Sequence, residues 1–198
     1  NFLNRIEKGA LKNISYVLDK LKNSVLQNSQ ALSRLQITGK KGNYKETDNT
    51  DAEDMYGRTK FLGEVDYPHC VTLRTSIIGH EIRGKWGLLE WFLSQKEKVN
   101  GFSKALYTGF PTIELARIIR LHVLFNENLS GIFQIASPLI SKYALLHLVA
   151  KTYGKKIAIE NFPDFQCDRS LDSSKFSTAT KYVSPSWEQL IKEMHQHF

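Results

Sequence analysis

The 198-residue chain has little cysteine, no long apolar run and no internal repeat. Its two cysteines, Cys70 and Cys167, are too few for a disulfide framework and lack metal-ligand spacing, so we expect two reduced thiols. No apolar run approaches the roughly 20 residues that span a bilayer, and residues 2–25 lack the uninterrupted apolar core of a secretory signal. These absences disfavour disulfide-rich, metal-dependent and transmembrane classes. We therefore expect a cytoplasmic protein without a membrane partner.

Acidic residues are scarce in the first 45 positions. This segment holds nine basic residues and two acidic ones, so its net charge of +7 equals that of the whole chain, and residues 46–198 are neutral. Nucleic-acid binding is one interpretation of such a segment. Its lysines are scattered along a predicted helix face without interleaved aromatic residues, however. That pattern favours a solvated face over a nucleic-acid partner.

Composition and patterning predict an α/β fold. A hydrophobic content of 41% and an aromatic content of 11% are typical of globular chains. Strand-like and helix-like patterns alternate, which favours a parallel sheet with flanking helices. The predicted elements of the first half are one or two helices over 1–38, a loop over Gly39–Asn43, a helix from about Asp51 to Val65, a strand over Cys70–Ile78 and a helix over Trp86–Gln95. Those of the second half are a helix beginning at Pro111, a strand over Gly131–Ala136, a helix over Lys142–Thr152, a strand over Lys156–Asn161 and a helix over Trp187–His195. The helix beginning at Pro111 has an apolar stripe that includes Ile113, Ala116, Ile119 and Val123.

One pair of residues carries recognisable chemistry. Tyr56 and Lys60 stand four residues apart on a predicted helix, so a phenol and an ammonium project from one face. A nearby cation lowers the pKa of a tyrosine, and a tyrosine tuned in this way can exchange a proton with a carbonyl oxygen. Tyr16 and Lys20 have the same spacing, so spacing alone does not establish a site. The acidic helix start and two glycines within the helix distinguish the later pair.

The segments around this pair resemble a known family. Tyr56-Gly-Arg-Thr-Lys60-Phe-Leu-Gly-Glu64 and Leu73-Arg-Thr-Ser76-Ile-Ile-Gly79 are similar to segments of the extended short-chain dehydrogenase/reductases. Within them the chain is most similar to the dTDP-4-dehydrorhamnose reductase-like sugar-nucleotide reductases. The similarity extends over 39–198 and includes Asn100–Phe102, Gly109–Arg117, Gly131–Ala136 and Cys167–Ser173.

The resemblance implies a fold and a set of site residues. The fold would be a partial Rossmann-type parallel sheet with flanking helices, together with the substrate-binding part of an extended short-chain dehydrogenase/reductase. Tyr56 would be the catalytic acid, and Lys60 would tune it and anchor NADP or NAD. Ser33 would supply a hydroxyl to the substrate carbonyl. Ile77 and Arg169 would contact the nucleotide sugar, Arg169 through its diphosphate.

Two of these substrate contacts leave alternatives open. Arg169 fits a structural ion pair with Asp168 or Asp172 as well as it fits a diphosphate contact. Ile77 occupies the position where the rhamnose-forming reductases carry a tryptophan against the sugar. The identity of the sugar therefore stays open, and the resemblance implies no metal.

The first 38 residues depart from the family. The chain contains no G-x-x-G-x-x-G motif, which supports the dinucleotide pyrophosphate in the family. Arg34 replaces the acid that the family places next to the Ser33 hydroxyl. We expect a basic helical segment of non-family character over 1–38 and the C-terminal part of a Rossmann-type reductase over 39–198, with its substrate-binding part mainly in 80–198. An incomplete sheet exposes an edge, which predicts a homo-oligomer or an accessory subunit.

Three functions are compatible with these motifs. The first is NAD(P)-dependent reduction of a 4-keto nucleotide sugar, as in dTDP-rhamnose biosynthesis, with activity impaired if the cofactor-binding half is missing. The second is a non-catalytic remnant that binds a nucleotide sugar or serves as an accessory subunit. The third is an epimerase or dehydratase of the same superfamily.

Overall fold

Strands and helices alternate along most of the chain. The computed structural model describes residues 29–33 (backbone only), 39–48, 64–65, 67, 70–81, 84 and 86–197. The strands are β1 (Ser29–Ser33), β2 (Cys70–Arg74), β3 (Ile77–Ile78), β4 (Val99–Phe102), β5 (Ala105–Tyr107), β6 (Phe110–Pro111), β7 (Gly131–Gln134), β8 (Ile140–Ser141), β9 (Ile159–Phe162) and β10 (Cys167–Asp168). The helices are α1 (Leu88–Ser94), α2 (Thr112–Ile118, continued by a π-helical turn over Ile119–Val123), α3 (Lys142–Thr152), α4 (Ser174–Thr180) and α5 (Trp187–Gln196).

The central sheet is parallel throughout and has the order β1-β2-β7. All five residues of β2 are buried. Val71 and Leu73 belong to the apolar core. Thr72 and Arg74 instead contact residues 64–65, so they lie on the opposite face of the strand. This sheet confirms the predicted α/β fold with parallel strands and flanking helices.

Smaller pairings extend the architecture beside this sheet. β3 pairs with β6 and β4 pairs with β9, both in parallel. A three-stranded sheet of order β10-β5-β8 brings a late part of the chain next to the middle part. These pairings position the segments that surround the end of the central sheet.

Local signals set the ends of two predicted helices. The Ser141 hydroxyl accepts a hydrogen bond from Ala144 N (3.1 Å) at the start of α3, and Gly154 follows its end with a φ of +65°. The Ser186 hydroxyl caps α5 by accepting from Gln189 N (3.4 Å). The buried residues of α5 recur at helical spacing and are Trp187, Leu190, Ile191 and Met194.

The apolar core lies between the central sheet and the helices. It contains large side chains with no exposed surface, contributed by α1, β6, α2, α3, α4 and α5. They are Phe92, Phe110, Ile118, Leu145, Phe176 and Ile191. Among the described helices none is long and apolar enough to cross a membrane.

The helical prediction is wrong for residues 29–33, which form β1. The local sequence there is polar and weakly patterned, and β1 is held in place by parallel pairing with the buried strand β2. Such tertiary pairing overrides a weak local preference. Residues 1–28 and 34–38 lie outside the described residues, so the boundary expected near residue 38 stays a prediction.

The strand predicted over Cys70–Ile78 is interrupted. β2 ends at Arg74, and the chain then changes partner from β7 to β6, where Phe110 N donates to Ser76 O (2.8 Å). The helix predicted from about Asp51 to Val65 lies outside the described residues except for Glu64 and Val65, which are not helical.

The buried face of α2 differs from the predicted stripe. Ile119 and Val123 are buried as expected, whereas Ile113 and Ala116 are only partly buried. Leu115 and Ile118 take their place, because α2 packs against β6 and α5 and then widens into the π-helical turn. The short strands β4, β5, β6, β8 and β10 and helix α4 were not predicted.

The predicted Gly39–Asn43 loop is confirmed and packs against the chain around β10. Gly39 and Gly42 have φ values of +80° and +73°. Asp168 N donates to Gly39 O (2.8 Å), and Asn43 N donates to the Ser170 hydroxyl (2.7 Å). A Cβ on Gly42 would fall on the Asp168 carboxylate.

Substitution of Gly42 by alanine should destabilise the protein more than substitution of Gly154. Both glycines have a left-handed backbone conformation, which costs an alanine about 1–2 kcal/mol. A Cβ on Gly154, however, would have no atom within 4 Å. Gly42→Ala must also displace the Asp168 side chain. Chemical denaturation of the two variants measures the difference, and equal losses would contradict the packing described for this loop.

Candidate functional site

The carboxyl ends of the central strands form one edge of the sheet. Ser33, Arg74 and Gln134 occupy a single row there, because Ser33 is paired with Arg74 and Arg74 with Gln134. In open α/β sheets, ligands bind outside the carboxyl ends of the strands. This edge is therefore the candidate site.

Hydrogen bonds tie three further segments to this edge. Ile135 N donates to Arg74 O (3.0 Å) directly after β7. Ser137 N then donates to Thr108 O (2.9 Å), and Leu171 N donates to the Thr108 hydroxyl (3.2 Å). Thr108 thus links the segment after β7 to the segment after β10.

A buried ion pair holds the end of β2. The Arg74 guanidinium donates to both carboxylate oxygens of Glu64, through Nε (2.9 Å) and Nη2 (2.7 Å). The two side chains are 4% and 5% exposed. Arg74 Nη1 also donates to the backbone oxygen of Glu46 (3.2 Å). One guanidinium therefore binds the chain on both sides of residues 47–63, the stretch that contains the predicted Tyr-Lys pair.

The side chain of Gln134 is a second buried polar group at this edge. Its backbone N–H donates to the Glu46 carboxylate (2.8 Å). Its side chain has no exposed surface, and neither of its amide atoms has a hydrogen-bond partner among the described residues. Buried amides are nearly always hydrogen-bonded. Gln134 is therefore a candidate binding residue.

The segment after β10 presents charged groups next to the Gly39–Asn43 loop. Backbone and side-chain hydrogen bonds with Ser174 hold the pKa of Asp172 below its ordinary value. Asp168 accepts from Ser170 N (2.9 Å). Arg169 is exposed and forms no ion pair among the described residues, so the predicted pairing with Asp168 or Asp172 is absent.

The structure positions only part of the predicted site. Tyr56 and Lys60 lie outside the described residues. Ser33 lies at the carboxyl end of β1, in the row described above. Ile77 is 42% exposed and follows Arg74 by three positions. Arg169 lies next to Gly39. The roles assigned to these residues stay predictions.

Sequence reasoning missed Arg74, Glu64, Glu46 and Gln134 as members of this edge. The sequence did contain a signal for Arg74, which is the single charged residue in the strand-like run Cys70–Ile78. A buried charge requires a partner, and Glu64 belongs to the neighbouring motif. Gln134 lies in the family-like segment Gly131–Ala136, but nothing in the sequence singles it out within that segment. No sequence signal connects Glu46 to the site, since it acts through contacts distant in sequence.

A cavity lies outside this candidate site, and the described residues hold no metal-binding cluster. The cavity, of about 440 Å³, lies beside the π-helical turn and is lined in part by Leu121, His122, Phe125 and Thr180. It includes none of the predicted site residues. Within the part of the chain that the structure describes, no cluster of three His, Cys, Asp or Glu residues can hold a metal ion.

Comparison with known proteins identifies the fold. No family model and no curated protein matches the sequence. The chain is similar to the dTDP-4-dehydrorhamnose reductase of Clostridium acetobutylicum, with a TM-score of 0.66 and 17% identity over 84% of this chain and 64% of that one. It is also similar to the Bacillus anthracis dTDP-4-dehydrorhamnose reductase in complex with NADP, with a TM-score of 0.68 and 14% identity over 85% of this chain and 65% of that one.

An enzyme with a different activity is equally similar. The UDP-N-acetylglucosamine 4-epimerase of Methanobrevibacter ruminantium, in complex with UDP-N-acetylmuramic acid, has a TM-score of 0.67 and 14% identity over 98% of this chain and 69% of that one. The chain spans less than two thirds of the length of the two reductases. The predicted structural similarity is confirmed, and the chain has the fold of the extended short-chain dehydrogenase/reductases that act on sugar nucleotides.

Removing one partner of the Arg74–Glu64 pair should be strongly destabilising. Arg74→Leu leaves a buried carboxylate without its cation, which costs about 3–5 kcal/mol. The double variant Arg74→Leu/Glu64→Leu should recover most of that loss, because no charge stays buried. Urea denaturation measures both.

The exposed pair Lys98–Glu160 is the control for this prediction. Its side chains are 66% and 51% exposed, so Lys98→Ala should change stability by less than about 1 kcal/mol. A double variant at the buried pair that is no more stable than Arg74→Leu would contradict the account of that pair.

Proposed function

We propose that this protein is an NAD(P)-dependent reductase of a 4-keto nucleotide sugar, as the dTDP-4-dehydrorhamnose reductases are by name. Its fold is that of enzymes acting on sugar nucleotides, and its motifs at residues 56–64 and 73–79 resemble those of the reductases. The activity, the substrate and the cofactor are part of the proposal.

The observation that carries the proposal is that Arg74 binds the chain both before and after residues 47–63. Both Glu46 and Glu64 bind its guanidinium at the carboxyl edge of the sheet. The intervening residues include Tyr56 and Lys60, and both residues that flank this stretch contact Arg74 at that edge. This supports a location of the Tyr-Lys pair at the edge where ligands bind in such folds.

The proposed chemistry assigns a proton transfer to Tyr56. Its phenol gives a proton to the carbonyl oxygen of the sugar, and the Lys60 ammonium stabilises the phenolate that remains. The Ser33 hydroxyl hydrogen-bonds the same oxygen. Arg169, whose guanidinium is free of ion pairs among the described residues, binds the diphosphate of the substrate. The reduced cofactor, NADPH or NADH, would supply the hydride to the carbonyl carbon and leave as NADP or NAD.

The residues fit one end of such a cofactor. Lys60 would hold its ribose hydroxyls, and the unpartnered amide of Gln134 offers a polar group at the same edge. The pyrophosphate end has no cradle of the glycine-rich type within these 198 residues.

An epimerase of the same superfamily is the second candidate. The equal similarity to a 4-epimerase favours it as much as the fold favours a reductase. Only the motifs distinguish the two. A reductase consumes one reduced cofactor for each product molecule, whereas an epimerase consumes none.

Tyr56→Phe should lower turnover of a dTDP-linked 4-keto sugar by about 10²–10⁴-fold, because it removes the proton donor. Oxidation of NADPH or NADH, followed by absorbance, measures the turnover of the full-length protein. Tyr16→Phe is the matched control, since Tyr16 and Lys20 share the four-residue spacing, and it should leave turnover unchanged.

Two results would contradict the proposal. Full turnover in Tyr56→Phe would remove this residue from its role. A fluorescence titration measures binding of NADH or NADPH to the unaltered protein. No binding at millimolar concentration would contradict the reductase assignment. Thermal stabilisation by dTDP-glucose without cofactor binding would instead favour the non-catalytic remnant.

A further inference from the structure

A hydrogen-bonded chain of three side chains follows β3 and has no role in the chemistry above. His80 Nδ1 lies 2.6 Å from a carboxylate oxygen of Glu90, and His80 Nε2 lies 2.9 Å from the Tyr153 hydroxyl. The side chains of His80 and Glu90 are 10% and 20% exposed. The three groups therefore interact in surroundings that exclude most water.

The chemistry of the three groups assigns the protons. Burial and the charge of Glu90 raise the pKa of Tyr153 above its ordinary value, so its phenol keeps its proton and can donate. The Glu90 carboxylate can only accept. Nδ1 of His80 must therefore carry a proton and donate it to Glu90. The Tyr153 hydroxyl can either donate to Nε2 or accept from it.

The chain connects the segment after β3 to three helices. Glu90 belongs to α1, and Tyr153 caps the end of α3. The Tyr153 ring packs on His195 of α5, with ring centroids 4.3 Å apart. The side chain of His80 therefore connects the chain after β3 to the helical layer.

Two neighbouring contacts leave the same segment little freedom. A Cβ on Gly79 would lie 2.8 Å from the Thr112 hydroxyl, so the backbone there packs closely against the start of α2. The Glu81 carboxylate accepts from Trp86 N (2.9 Å) and Gly87 N (2.7 Å), just before α1. Ile77, a proposed substrate contact, lies only three positions before His80.

We propose that His80 is a positioning residue of the nucleotide-sugar site: its imidazole, held between Glu90 and Tyr153, fixes the strand end that carries Ile77. The identity of the ligand rests on the proposed function. The role of His80 in ordering β3 and the segment after it rests on the contacts described here.

Calorimetric titration with dTDP-glucose tests the role of His80 in binding. His80→Ala and Tyr153→Phe should bind about tenfold more weakly than the wild type at pH 7.5, because each removes one side of the hydrogen-bonded chain. His80→Asn, which keeps a donor toward Glu90, should partly restore affinity. His147→Ala, at an exposed histidine, should match the wild type.

Two readouts test the ordering without any ligand. The ¹⁵N spectrum of His80 should show a proton on Nδ1 at pH 7.5, and amide exchange over residues 75–81 should accelerate in His80→Ala. Tyr153→Phe keeps the ring against His195 and covers the case in which His80→Ala does not fold. An Nδ1 without a proton, or unchanged exchange in both variants, would overturn the proposal. If exchange responds as expected but the wild type does not bind dTDP-glucose, the proposed function fails instead.

Discussion

The buried ion pair between Arg74 and Glu64 is the constraint on which the candidate site depends. Two charges with side chains 4% and 5% exposed are tolerated because the guanidinium binds both carboxylate oxygens. The third contact of Arg74, to the backbone of Glu46, brings the two sides of residues 47–63 to one point. The end of the parallel sheet, the loop after β1 and the residues that flank 47–63 are joined there.

The sheet itself explains why this point lies at its carboxyl edge. Arg74 ends β2, and its register neighbours Ser33 and Gln134 end β1 and β7. Parallel strands present these three ends together, so residues from separate parts of the chain lie in one row. The long-range contacts of Thr108 add the segments after β5 and β10 to the same edge.

Sequence patterns predicted the parts of the fold that are set locally. The helix predicted over Lys142–Thr152 has those bounds in the structure, and the amphipathic helix predicted over Trp187–His195 ends one residue later, at Gln196. β1 could not be predicted, because its five polar and apolar residues gain their conformation from pairing with β2. The Glu90–His80–Tyr153 chain was equally inaccessible, since its members come from three elements separated by up to 73 positions. The sequence motifs predicted Tyr56 and Lys60 as site residues. Glu46 and Gln134 were assigned to the candidate site only from their contacts in the structure.

The central claim is that residues 56 and 60 serve a reduction at this edge of the sheet. Transfer of deuterium tests it most directly. The full-length protein is incubated with a dTDP-linked 4-keto sugar and with NADPH or NADH deuterated at the transferred position, and the sugar product is analysed by mass spectrometry. The account predicts a reduced sugar that carries one deuterium at C4 and an equal amount of oxidised cofactor. An epimerised or unchanged sugar, with no cofactor consumed, would contradict it.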